Sequence, residues 1–405
     1  MKVVQNELTM EHLGIHALSF ACKHVSSSRN YMASSHASQR LTIADADEKI
    51  IQTGMERILA DYTFSVKMPA NGRIIKVIER YSPGIAQNSI QYNPETIVIY
   101  EDDDTKEIDY FSIPRYASYH QSFGFEYIEK DGINQLCPGA YVAKDTVFAD
   151  PSSIADNQGY KYGINLNMAF MSIPSVSEDG IMISRDVLDR LKFRIYETRV
   201  VDFGSTSFPL NLFGSKDDYK SFKDIGEYLN DDGILMMLRD YDSTLAPTDM
   251  SIYDTMEPDF IFDKGIYVRG GHGRIVDIKV LANNNKIKNL PEEMRFQLRK
   301  YEIALLKFYE NIIETEKQIR YERKRNYGNI GLKLSPRFHR LLVEALAVTD
   351  KNDRGAKDNL KLIYRKTPID EYRVEFVVEY IMTPNIGYKL TDFYGGFTYR
   401  ISFIN

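Results

Sequence analysis

The chain has 405 residues, 43% of them hydrophobic, a net charge of −6 and two cysteines, Cys22 and Cys137, far apart in sequence. That is enough apolar material for two or three domains. No apolar run has membrane-spanning length and the N-terminus lacks an apolar signal core, which argues against a membrane protein or one secreted by the usual route. The acidic balance argues against a free-standing nucleic-acid binder, and the cysteines, outside any metal-ligand spacing, read as reduced thiols.

Residues 1–60 read as helix and loop. Leu8–Phe20 carries apolar residues at mixed spacing, and Glu48–Leu59 fits an amphipathic helix. Residues 61–190 are strand-rich. Gly72–Ile78 alternates poorly but is β-branched, as a buried strand can be. Thr96–Tyr100 and Ile108–Ile113 read as strands flanking the acidic group Glu101–Asp104; a metal site is conceivable there, and a solvated hairpin turn is the better reading. Asn165–Met171 reads as an apolar strand-like run, followed by Glu178 and Asp179 and a second apolar run up to Ser184. Adjacent acids at a strand end are costly to bury unless something cationic lies opposite, and a metal ion or a metal-bound triphosphate fits that need.

Residues 191–370 change character. Arg194–Val201 starts a strand region. Gly270, Gly271 and Gly273 precede a strand, not a helix, so a tight turn is expected there and not a phosphate cradle. Pro291–Arg325 is the most distinct helix, with Glu292 and Glu293 at the positive end of its dipole and cations at its tail. Met294, Leu298, Tyr301, Leu305, Phe308 and Ile312 step by four and three, a seam that wants a partner helix. Pro336–Val348 supplies a return helix, so an antiparallel hairpin over 291–348 is expected. Its basic tail, Lys317 to Arg325, is either a contact for nucleic acid or an acidic partner, or a solvated helix end. Residues 371–405 return to strands.

Several of these segments resemble, in family order, the β subunit of multisubunit DNA-directed RNA polymerases. Asn165–Met171 with Glu178–Ser184 resembles the family's N-M-x-V-A-F-M … E-D-A-I-x-I-S block. Arg29, Asn30 and Met32 with Gln39 and Arg40 resemble its N-R-x-L-M-G-x-N-M-Q-R-Q segment, and Thr53–Glu56 its T-G-M-E. Cys137–Ser152 resembles the V-x-x-G-D-x-L-A-D-G-P-S region, and Val374–Leu390 the return segment ending G-D-K-L. The short, diverged chain is most similar to the split β subunits of giant bacteriophage polymerases.

The resemblance implies an α+β fold, mostly β. A barrel-like catalytic-face domain would span 61–190 and be completed by 371–405, beside a fork- and hybrid-contacting segment at 1–60. A flap-like domain with the helical hairpin would be inserted at 191–370. Glu178 and Asp179 match an acidic pair acting, largely through water, on the triphosphate-side Mg2+. Lys389 matches a lysine that contacts phosphates, as a mobile point charge suits. Arg29, Gln39, Arg40 and Glu56 match positions near the downstream fork and the RNA–DNA hybrid, with structural salt bridging the equal alternative for each. Arg115 and His120 are both candidates for a nucleotide-positioning residue.

The pattern also departs from the family. The second family lysine falls on Phe397, with Arg400 a nearby substitute, and the family histidine falls on Tyr394. The catalytic N-A-D-F-D-G-D motif, which the family carries on β′, is not in this sequence. The chain alone is therefore expected to be inert, with Mg2+ held mainly by a partner. Expected partners are a β′-like subunit, other β fragments supplying the N-terminal lobes and the C-terminal region, and a promoter-specificity factor. DNA template, nascent RNA and nucleoside triphosphates complete the set, in the host cytoplasm or in a virion. Two other readings compete: a decayed polymerase-like scaffold or virion protein, which Phe397 favours, and a carboxylate metal hydrolase, which the scattered histidines disfavour.

Overall fold

The computed structural model describes residues 28, 31–32, 35–36, 39–41, 43, 45–50, 52, 54, 56–57, 60, 64–81, 95–120, 123–155, 159–169, 171–174, 176, 180–204, 207–240, 263–269, 271–282, 292–328, 331–349, 372–392 and 398–404. Among the described residues the fold is mixed α+β and strand-rich, 39% strand against 25% helix, with curled half-barrel sheets.

The first body is built from β1 (Val66–Lys67), β2 (Gly72–Glu79), β3 (Glu95–Asp102), β4 (Ile108–Pro114), β5 (Tyr116–His120), β6 (Phe123–Glu129), β7 (Tyr141–Val142) and β8 (Val147–Pro151). They form two four-stranded sheets, β4-β3-β2-β7 and β1-β8-β6-β5. Between them lies a core that includes Met68, Ile74, Val98, Tyr100, Phe111 and Phe148. β3 is buried on both faces: Val98 and Tyr100 enter this core, while Ile97 and Ile99 enter a second one against helices. A strand covered on both sides reads as a continuous apolar run. The poor alternation of β2 has a different cause, a bulge between Ile74 and Lys76 that sends Ile74 and Val77 to one face and Ile75 and Ile78 to the other. The acidic group closes the β3–β4 hairpin, where Asp102 Oδ1 accepts from the backbone N–H of Asp104 (2.8 Å) and Thr105 (3.0 Å).

The second body follows β9 (Gly180–Ile183) and α1 (Arg185–Arg190). It contains β10 (Phe193–Phe203), β11 (Ser207–Pro209), β12 (Ile234–Asp240), β13 (Asp263–Tyr267) and β14 (Arg274–Ala282). The helices α2 (Glu292–Tyr327) and α3 (Pro336–Thr349) come next, then β15 (Tyr372–Met382), β16 (Lys389–Thr391) and β17 (Thr398–Ile404). β15 lies between β10 and β14 in an antiparallel sheet, in unbroken register with β10 from Phe193↔Met382 to Phe203↔Tyr372. Everything between residues 204 and 371 is thus threaded between two paired strands. The turn containing Gly271 and His272 leads directly into β14, with His272 at φ 57°.

The seam on α2 divides its partners. Leu298 and Tyr301 pack into the core of the β10-β15-β14 sheet. Leu305, Phe308 and Ile312 pack with Phe338, Leu341 and Ala345 of α3 and with Ile78, Ile97 and Ile99 of the first body. The hairpin therefore lies on the β2–β4 sheet, and a sheet supplies much of the surface that the spacing assigns to a helix. A buried polar cluster fastens the two bodies. Arg80 pairs with Asp277 of β14, which also accepts from the hydroxyls of Tyr81 (3.0 Å) and Tyr116 (3.2 Å). Tyr116 in turn stacks on Tyr196 of β10 at 5.0 Å.

Two expected elements take other forms. Residues 46–50 are not helical, and helical backbone within the expected 48–59 helix is confined, among the described residues, to Glu56 and Arg57. Side-chain bonds to this stretch explain the difference: Asp47 accepts from Asn165 N (3.0 Å) and Arg190 (2.8 Å), which holds the chain open. Residues 164–169 are not a strand, and Leu166 and Met168 are exposed. Asn165 donates its side-chain N–H to Glu48 O at 2.7 Å, so the segment lies along a loop with no ladder partner among the described residues. Leu8–Phe20 lies outside the described residues.

Candidate functional site

The small sheet β16-β17-β9 brings distant parts of the chain together. β17 runs antiparallel to β16 and parallel to β9, so Arg400 has Lys389 on one side and Gly180 on the other. Gly387, at φ 92°, makes the turn that aims β16. Its N–H donates to Ile401 O (2.8 Å), and Ile401 N donates to Tyr388 O (2.9 Å). A side chain at that φ would be strained, so glycine is the residue that sets Lys389 in register.

Alternation then divides the faces. Ile183, Ile401 and Leu390 point down onto Ile43, Leu188 and Leu191. Lys389, Thr391, Thr398 and Arg400 share the other face, by their cross-strand pairing. Lys389 and Arg400 are exposed and make no side-chain hydrogen bond or ion pair among the described residues. Thr398 Oγ1 lies 2.8 Å from His36 Nδ1, which places His36, a member of the Ser28–Arg40 block, beside the same face. Sequence reasoning missed His36; its place inside that block was the available signal. Met182 and Phe403, paired across β9 and β17, form an apolar border, each 43% exposed.

Two cations directly opposed on neighbouring strands repel, at a cost comparable to the gain of an opposite-charge pair. A phosphate or carboxylate between them would turn the opposition favourable. This is the chemistry that the face offers.

The other sequence-derived positions are distributed differently. Glu178, Asp179, Arg29, Tyr394 and Phe397 lie outside the described residues; Glu178 and Asp179 immediately precede Gly180 in sequence. Glu56 is buried, bonded to Lys49 Nζ (2.7 Å) and Gly54 N (3.0 Å). The Arg40 guanidinium sits 4.3 Å over the Tyr162 ring, whose hydroxyl donates to Arg40 O at 2.7 Å. Gln39 is exposed, its N–H donating to Ser35 O at 3.1 Å. Arg115 is exposed at the β4–β5 junction, and His120 ends β5, both on the first body. Among the described residues no group of three or more His, Cys, Asp or Glu could hold a metal ion. No protein-family model matches the chain, and none of the curated proteins does.

Proposed function

We propose that this chain is a β-like subunit of a DNA-directed RNA polymerase, walling the active centre opposite a metal site held by a β′-like partner. The observation that carries the proposal is convergence. Three segments that resemble the family, around His36, Gly180 and Lys389, meet on one small sheet although they are far apart in sequence. In this reading Lys389 contacts a phosphate of the RNA end or of the incoming nucleotide. Arg400, directly opposite, supplies the second cation that the family places at the Phe397 position. A bridging phosphate removes the repulsion between the two.

Glu178 and Asp179 would act on Mg2+ through water, as their match to the family's acidic pair implies. Magnesium, when bound by the partner, neutralises triphosphate charge and activates the attacking oxygen. In this reading the chain's own part is to position phosphates through Lys389 and Arg400. Leu166, Met168 and Met171 are 40%, 63% and 70% exposed, and apolar side chains so placed suit burial against another subunit. The α2–α3 hairpin belongs, in this reading, to the inserted flap-like part. Other β fragments and a promoter-specificity factor complete the assembly on DNA, in the host cytoplasm or a virion. The described helices include none long and apolar enough to cross a membrane.

A polymerase-derived structural or virion protein is the competing reading, and the internal bonding of Glu56 and the stacking of Arg40 favour it. RNA extension by the reconstituted assembly separates the two. Lys389→Ala and Arg400→Ala should each lower extension at least tenfold with assembly intact; unchanged extension in both variants rejects the polymerase role.

A further inference from the structure

The last three turns of α2 carry charge that the fold does not use. From Lys317 to Tyr327 the sequence has five cations and a single acid, Glu322. Arg320 pairs with Glu316 one turn back, and Arg323 reaches Glu101 at the β3–β4 turn. Lys317, Lys324 and Arg325 are exposed and make no ion pair among the described residues. With 3.6 residues per turn, these three and Tyr321 fall within about 100° of one another. They lie opposite Ile312, Thr315 and Ile319, the buried side of the helix. Tyr321 is 68% exposed.

A helix dipole accounts for cations in the final turn only. Lys317 is about 15 Å before the helix end at the usual rise, and the dipole gives no reason for an aromatic ring in water. A ring with cations one turn to either side takes an unpaired base on its face and the neighbouring phosphates beside it. A duplex offers no such free base.

We propose that this face of α2 binds single-stranded RNA. The ring and the charges argue for a single strand, and the choice of RNA over DNA rests on the polymerase reading above. The test uses the full chain and a short fluorescent oligoribonucleotide, with the same sequence as DNA and as a duplex, over a salt series. Tyr321→Ala should weaken RNA binding about 5- to 150-fold. The triple variant Lys317→Ala, Lys324→Ala, Arg325→Ala should reduce the salt slope by about 2, from three lost phosphate contacts. All four positions are exposed, so unchanged thermal melting confirms that the variants fold. Unchanged binding in both variants, or no binding by the intact chain, overturns the surface. Equal binding of the DNA strand overturns the choice of RNA, and preference for the duplex overturns the stacking argument. The assay needs no partner and no nucleotidyl transfer, so its failure and that of the polymerase reading are separable.

Discussion

Replacing Arg80 by methionine tests the polar cluster that joins the two bodies. Arg80 and Asp277 are 5% and 3% exposed, and burial works against the charge of Arg80 while Asp277 more than restores it. Removing the guanidinium leaves Asp277 buried with the hydroxyls of Tyr81 and Tyr116 as its remaining partners. Breaking one side of a buried pair costs about 3–5 kcal/mol. The two hydroxyl bonds put the expected loss near the lower end, about 3 kcal/mol. Adding Asp277→Leu removes the stranded charge. Tyr81 still donates to Ile278 O at 2.8 Å, and only Tyr116 loses its acceptor, a cost of about 1–3 kcal/mol. The double variant should therefore be more stable than Arg80→Met alone. Urea unfolding followed by circular dichroism measures both. A loss below about 1 kcal/mol in Arg80→Met, or a double variant worse than the single, would refute the reasoning.

Other consequences follow from the same bonding. Glu56→Ala should lower stability by about 1.5–3 kcal/mol, the worth of hydrogen bonds to a buried charged group, with the extension rate per folded complex unchanged; a rate loss with stability intact would return Glu56 to the nucleic-acid contacts. Burial pushes Tyr100 and Tyr219 up to about 12, and Tyr81, Tyr116, Tyr196, Tyr301 and Tyr380 rise for the same first cause. A raised tyrosine contributes stability that is complete below its unfolded value near 10 and lost as pH climbs through the folded value. Unfolding should accordingly set in above that value, with tyrosinate absorbance and circular dichroism changing together; absorbance changing well before the fold would contradict this. Burial opposes the Asp224 charge, but the Tyr301 hydroxyl at 2.6 Å and the Lys300 and Lys220 ammonium groups more than compensate, so its carboxyl lies below the usual range. That contribution is present above the ordinary carboxylate value and lost as pH falls through the lowered one. Asp224→Asn should flatten the acid limb of the urea-midpoint profile, and an unaltered limb would count against the pairing.

The strands announce themselves in the sequence where both faces are apolar or β-branched, as in β3, β10 and β15, and the long helix does so by its seam. The Asn165–Met171 run misleads because its apolar side chains match a strand pattern while the bonds of Asn165 to Asp47 and Glu48 place it along a loop. Composition cannot show that Leu166, Met168 and Met171 face outward. The candidate face was legible one residue at a time, since Lys389 and Arg400 are both visible in the sequence. Their direct opposition depends on the register of β16 against β17, which has no local signal. The engagement of Glu56 by Lys49 is likewise a matter of tertiary geometry, because the described residues between them, 50, 52 and 54, are not helical.

The central claim is tested most directly by purifying this chain from its native source and identifying by mass everything bound to it. A chain bearing the β′ aspartate motif should be recovered, together with chains supplying other β regions, and the recovered complex should extend RNA in a Mg2+-dependent way. Recovery of the chain alone, or with capsid proteins only, would contradict it.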